Sequence, residues 1–281
     1  MNKRRVELKK ILEGLYSRYN HRNLIKPDPL QFVYQYNSPS DKEIVAFLSA
    51  ALAYGRVEQI EKSLNDLFTR MGKSPFAFVK NFNKIGREKL NGFKHRFTTG
   101  QDIADLLVLL KQVLNRYSSI QKFFVEGYNP NAQNIIPALT RFCDSLYAMY
   151  SKEHNGQISS GLKFLLAGPA GGSACKRLNL FLRWMVRKDD VDPGLWKSID
   201  KAKLIVPVDV HIGRLSRILG FHNHKTISLA SAVRITQSFA EIEPADPVKF
   251  DFALTRIGII EGCKGKYRAV CEDCEILELC K

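Results

Sequence analysis

The chain of 281 residues carries 43 Lys and Arg against 28 Asp and Glu, a formal net charge of +15 at pH 7. Hydrophobic residues make up 45% and charged residues 25%, which is the composition of a folded globular protein and excludes a disordered or collagen-like chain. So large a positive excess favours an acidic partner, nucleic acid first, with a membrane surface as the main competitor and a lysine-rich soluble surface as the plain alternative.

The chain begins Met1-Asn2-Lys3-Arg4-Arg5, but Glu7, Lys9 and Lys10 interrupt the segment where a signal peptide would need an apolar core. No apolar run reaches the roughly 18 residues of a membrane span. The expectation is a cytoplasmic, nucleoid-associated monomer with no membrane contact. Asp28-Pro29, Asp192-Pro193 and Asp246-Pro247 each read as a helix start, with Asp at the N-cap and Pro at the first helical position. Ser40-Asp41-Lys42-Glu43 has the spacing of a capping box, and Ile44, Phe47, Leu48, Ala51 and Leu52 then share one helical face. Thr99-Gly100-Gln101-Asp102 repeats the box before Ile103 to Leu114. Loops are expected at Gly127 to Asn134, Glu153 to Gly161 and Ala167 to Ser173. No sustained period-two alternation and no Asn-Gly or Asp-Gly hairpin is found; Leu204 to Val208, broken by Pro207, comes nearest to a strand. The fold class is therefore all-α, with about a dozen helices expected from these start signals.

Two segments carry candidate chemistry. Gly168-Pro169-Ala170-Gly171-Gly172-Ser173-Ala174-Cys175 is a Gly/Pro-rich turn leading into a helix that starts near Lys176. Backbone N–H groups in such a turn make an anion site. Leu178, Phe181, Leu182 and Met185 form that helix's core stripe, which places Lys176, Asn179, Arg183 and Arg187 on the opposite flank; a solvated surface lysine is the plain reading of Lys176. The second segment is Val206-Pro207-Val208-Asp209-Val210-His211-Ile212-Gly213-Arg214-Leu215. Asp209 caps a helix here, which alone accounts for an aspartate at that position. The same position holds a carboxylate in its ionised form, which suits a reaction that develops positive charge.

These two segments, in this order, resemble the helix-hairpin-helix DNA glycosylases of base-excision repair, the superfamily of endonuclease III. The Asp209 segment is similar to that superfamily's catalytic-aspartate segment, and Lys176 falls where the second helix of the hairpin carries the Schiff-base lysine. Lys176 precedes Asp209 by 33 residues, an interval closer to the archaeal 8-oxoguanine glycosylase branch. The whole chain looks closest to an uncharacterised bacterial family of that superfamily, through Leu48-Ser49-Ala50, Lys176 to Trp196, the Asp209 segment and Phe250-Asp251-Phe252-Ala253-Leu254. The aligned hairpin reads Gly171-Gly172-Ser173-Ala174 in place of Leu-Pro-Gly-x-Gly, and Ala51 replaces the glutamine that fills the gap left by an extruded base. That gap-filling role would then pass to Tyr54 or Arg56.

The resemblance implies two helical lobes flanking a DNA-binding cleft: residues 43–188 with the hairpin and Lys176, and residues 1–42 plus 189–281 with Asp209. It implies a DNA N-glycosylase with AP-lyase activity on an oxidised base, a purine in the related branch, in double-stranded DNA. Lys176 would be the nucleophile and Asp209 its acid/base partner, with Gly171, Gly172, Ser173, Arg177, Arg183, His211 and Arg214 contacting DNA. The rival readings are a non-catalytic nucleic-acid-binding helical protein and an interaction protein whose metal is structural.

Cys263, Cys271, Cys274 and Cys280 read C-x7-C-x2-C-x5-C. In a reducing compartment clustered thiols point to a metal, and four thiolates suit zinc or an iron–sulfur cluster. The endonuclease III branch carries a similar C-terminal quartet around a [4Fe–4S] cluster, so the resemblance implies that cluster, with zinc as the alternative. Cys143 and Cys175 read as ordinary buried thiols. His222 and His224 lack a third ligand for a metal. Trp184 and Trp196 would sandwich a base or fill the core, and Phe93, His95, Arg96 and Phe97 interleave aromatic with basic residues as a stacking surface or a half-buried loop does.

Overall fold

A computed structural model describes residues 3–224, 226–272 and 274–280. Among them thirteen α-helices run in chain order as α1 Lys3–Tyr19, α2 Pro39–Ala51, α3 Val57–Met71, α4 Pro75–Lys80, α5 Lys84–Lys89, α6 Gly100–Tyr117, α7 Ile120–Val125, α8 Ile136–Glu153, α9 Ser160–Leu165, α10 Lys176–Val186, α11 Val210–Ile218, α12 Leu229–Ala240 and α13 Asp251–Ile259. The all-α class holds. A two-stranded hairpin, β1 Lys94–His95 paired with β2 Thr98–Thr99, lies between α5 and α6. No helix among the described residues is long and apolar enough to cross a membrane.

Local capping accounts for the helix starts. The box at Thr99 is complete: Asp102 N–H donates to Thr99 Oγ1 at 3.3 Å, and Thr99 N–H donates to Asp102 Oδ2 at 2.7 Å. The box expected at Ser40 is not used. Helix α2 starts two residues earlier, with Pro39 at its first position and Ser38 Oγ accepting from Asp41 N–H. Glu43, left out of that cap, is buried and instead caps α7, accepting from the N–H groups of Ile120 and Gln121 at 2.9 Å each and from Trp196 Nε1 at 2.8 Å. One carboxylate thus ties α2, α7 and the segment after α10 together.

Two of the three Asp-Pro signals do not start helices. Asp28 does cap a 3-10 turn, Pro29–Gln35, by accepting from Leu30 N–H at 2.9 Å. Asp192 and Asp246 instead neutralise buried arginines. Arg187 donates to Asp192 Oδ2 at 2.5 Å and through Nε to both Asp246 oxygens at 3.0 Å, while Arg183 binds Asp192 at 3.2 Å and also Asp251. A buried guanidinium that lost such partners would be strongly destabilising, so these carboxylates are committed. Leu204 to Val208 is extended but unpaired, as its proline requires.

Helix α10 packs on α2, and α13 packs on both α1 and α11. Between them lies the apolar core, where Phe47 and Trp196 each meet Phe181 edge-to-face at 5.1 Å. Trp184 and Trp196 are 0% and 2% exposed, so both tryptophans fill this core rather than flank a ligand.

Candidate active site

A cleft of about 1040 Å³ is lined by both Lys176 and Asp209, together with Tyr54, Arg56, His211 and Arg256. That volume lies at the upper end for small-ligand pockets. Lys176 reaches the cleft because the turn before α10 uses left-handed backbone at Gly172 (φ 73°) and Cys175 (φ 50°), so the helix opens on the lysine. Its Nζ donates to Ala53 O at 3.2 Å, just beyond the end of α2. The neighbouring Arg177 donates to Ala51 O at 2.9 Å and to Phe164 O, and covers the rings of Phe164 and Tyr54.

Asp209 is the N-cap of α11, accepting from Ile212 N–H through Oδ1 at 2.7 Å. Its other oxygen makes no hydrogen bond among the described residues. The cleft is also lined by Val57, Lys176 and Val210, the first residues of α3, α10 and α11. Neither α3 nor α10 has a side-chain cap. Their first amides and helix dipoles therefore give the cleft a positive bias without any mobile side chain.

The cleft also touches buried polar residues whose valences are incomplete. Asp251, Arg183 and Arg256 line it and are at most 3% exposed; Asp251 Oδ1 and Arg256 Nε have no hydrogen-bond partner, while Arg183 Nη2 stands 3.2 Å from Asp192 Oδ1. Burial pushes the Asp251 carboxyl up to about 7; Arg183 opposes this and the Asp209 carboxylate reinforces it. Arg256 lies over Phe252 at 4.4 Å and donates to Leu24 O at 3.0 Å. His211 lines the cleft as well, with Nδ1 buried and unpartnered against the backbone of Gly258.

The other expected site residues fall in several places. Gly171 and Gly172 are exposed, and Gly172 O accepts from Leu229 N–H at 3.2 Å; Ser173 Oγ accepts from Cys175 N–H at 3.1 Å. Arg183 and Arg187 are not on a solvated flank of α10: they are 2% and 3% exposed, because carboxylates from three other segments close over that side. Arg214 donates to Cys263 O at 2.6 Å and so fastens the C-terminal segment to α11. Sequence reasoning assigned no role to Arg256 or Asp251. The Phe250-Asp251-Phe252 segment was visible, but nothing in the linear order ties it to Lys176.

Cys263, Cys271, Cys274 and Cys280 are free thiols. Burial raises the thiols of Cys274 and Cys280 above their ordinary value. As placed, no three His, Cys, Asp or Glu side chains among the described residues are close enough to hold a metal ion. The donor set suits a thiolate-bound metal or cluster, although the side chains do not form a ready-made cage. His222 is buried with Nε2 at 2.9 Å from Gly213 O, and His224 is exposed. Cys143 and Cys175 are buried, as expected.

No curated protein and no solved structure matches the chain. A family described as a protein of unknown function, DUF2400, matches residues 28–260. That span includes Lys176, Asp209 and every other residue of the cleft except Pro27, and on that match the chain belongs to the DUF2400 family.

Proposed function

We propose that this protein is a DNA N-glycosylase with AP-lyase activity that removes an oxidised base, a purine for preference, from duplex DNA. The observation that carries the reading is the presence of Lys176 and Asp209 in the lining of one cleft, although 33 residues separate them in the chain. The order of short helix α9, a glycine-bearing turn and α10, with the lysine at the first position of α10, is compatible with that reading.

A base within a duplex is out of reach, so it must be extruded, at a cost of a few kcal/mol. The +15 charge and the open amides at the starts of α3 and α10 would offset that by holding phosphates. As the N-glycosidic bond breaks, positive charge develops on the sugar. The unpartnered oxygen of Asp209 stands ready to balance it, while Oδ1 stays fixed to Ile212 N–H. Neutral Lys176 attacks C1′, the base leaves, and the resulting imine permits strand cleavage by β-elimination. Asp209 accepts the proton that the attacking amine must lose.

The four C-terminal cysteines would hold a [4Fe–4S] cluster, or zinc, whose part is to pin the segment that Arg214 fastens to α11. Protein purified without oxygen is expected to be brown and to contain iron; colourless protein with stoichiometric zinc would exclude the cluster. For the chemistry, borohydride trapping on duplexes bearing oxidised purines is expected to give a covalent complex, lost in Lys176→Ala. Trapping that persists in Lys176→Ala removes this lysine from the role. Binding without release of any base would leave a nucleic-acid-binding module instead.

A further inference from the structure

Beside the cleft stands a group of aromatic rings that the proposed chemistry does not use. Phe97 is 63% exposed at the turn of the β1–β2 hairpin, and Phe164 is 36% exposed at the end of α9. Tyr54, itself a lining residue of the cleft, stacks on Phe97 at 5.6 Å with the rings 12° from parallel. Phe164 meets Tyr54 edge-on at 4.9 Å and Phe97 at 5.3 Å. Guanidinium groups interleave the rings: Arg96 lies 5.1 Å from the Phe97 centroid and Arg177 lies 4.4 Å from that of Phe164. Lys94 and Lys163 are exposed on the same two elements.

The group is held rigidly. Buried His95 places Nδ1 2.9 Å from Ser63 Oγ and Nε2 3.0 Å from Tyr54 O, while Tyr54 OH donates to His95 O at 2.8 Å or to Thr98 Oγ1 at 2.6 Å. Arg96 sits at φ 55°, a conformation that non-glycine residues rarely adopt, and its side chain lies where a Cβ on Gly55 would be 2.8 Å from Arg96 Cδ. Local strain of this kind persists only where surrounding structure enforces it. Here it presents an apolar ring to solvent, which folding alone does not favour.

We infer that Phe97 and Phe164, with Arg96 and Arg177, form a stacking platform for unstacked bases at a discontinuity in duplex DNA. The exposed ring of Phe97, walled by the perpendicular ring of Phe164 and flanked by cations, complements both features of that partner, the π-faces of bases and the phosphates beside them. The inference deepens the glycosylase reading and rests on it for the choice of DNA. It assigns to Phe97, rather than to Tyr54 or Arg56, the side chain that occupies the gap where a base has left the stack: Tyr54 is committed behind Phe97, and Phe97 is the ring left open.

The test uses the full chain and a duplex carrying a tetrahydrofuran abasic analogue, with 2-aminopurine beside the gap, against the same duplex intact. Because this analogue contains no base to release, the readout is independent of glycosylase chemistry. Wild-type protein is expected to bind the gapped duplex roughly 10-fold or more tighter than the intact one, the scale of one base–aromatic stack, and to quench the 2-aminopurine. Phe97→Ala should lose most of that preference and the quenching, while binding intact duplex as before; Phe97→Trp should restore both. Phe97 is exposed, so thermal melting should confirm that the alanine variant is folded. Equal binding of both duplexes by wild type, or an undiminished preference in Phe97→Ala, overturns the proposal. In wild type, absence of the platform signal with borohydride trapping present strikes this inference alone, and the converse strikes the catalytic reading alone.

Discussion

Asp209 has two physical roles that a single atom can separate. Its Oδ1 caps α11, and its other oxygen is the one that the proposed reaction would use. Asparagine caps a helix about as well as aspartate does. Asp209→Asn is therefore expected to unfold within a few tenths of a kcal/mol of wild type in urea, while base release falls roughly 10²–10⁴-fold. Asp209→Ala should lose both, with about 1 kcal/mol of stability gone. Full activity in the asparagine variant would show that the carboxylate's charge is not needed. Asp209 was legible because an N-cap position after an extended, proline-broken stretch identifies itself. Arg183 was not. Helical periodicity places it opposite the core stripe, but periodicity says nothing about whether that second side is covered. On α10 it is: α2 packs on the helix, and Asp192, Asp246 and Asp251 close over its arginines.

Among the elements, the contact between α11 and α13 fixes the wall of the cleft nearest Asp209. It depends on Gly258. A Cβ built there would lie 2.0 Å from His211 Nδ1, far inside van der Waals contact, and the two helices would have to separate. Gly258→Ala is expected to lose about 1–3 kcal/mol, the usual penalty of overpacking, and to disturb His211 with it. Gly171→Ala provides the contrast, since a Cβ there meets nothing within 4 Å and φ is not positive; its urea midpoint should barely move. If both variants unfolded alike, the close approach of α11 to α13 would be wrong. This is also the scale at which helix-start signals divide. The Thr99 box formed because its side chains have no competing partner, whereas Glu43, Asp192 and Asp246 were drawn away by α7, Trp196 and two buried arginines. A cap written in sequence is kept only where the tertiary structure makes no stronger demand on the same carboxylate.

Across the whole molecule, the charge was legible in the composition, but the cleft and the aromatic rim were not, because α3, the hairpin, α9, α10, α11, α13 and the segments between them each contribute no more than four residues. What joins distant parts of the chain also sets its response to pH. Tyr16 OH donates to Asp189 Oδ2 at 2.9 Å, Tyr34 OH donates to Val191 O, and Tyr19 OH donates to Glu261 Oε1 at 2.7 Å, so the first helix and the turn after it are buttoned to segments far along the sequence. Burial pushes all three phenols up from 10.0 to about 12, and the neighbouring carboxylates act in the same direction. The folded state then binds these protons more tightly than the unfolded chain, and its stability must fall wherever unfolding releases them. That contribution is fully present below about pH 10 and is lost as pH rises through about 12. Urea midpoints measured along that range should decline steeply, and the share of phenolate absorbance that belongs to these three tyrosines should appear together with unfolding rather than before it. Replacing Tyr16 and Tyr34 together by Phe should flatten the decline even though two hydrogen bonds are gone. If phenolate absorbance near pH 10 in folded wild type exceeded that of the folded double variant, Tyr16 and Tyr34 would be open to solvent and the N-terminal segment would not be held down in the way described.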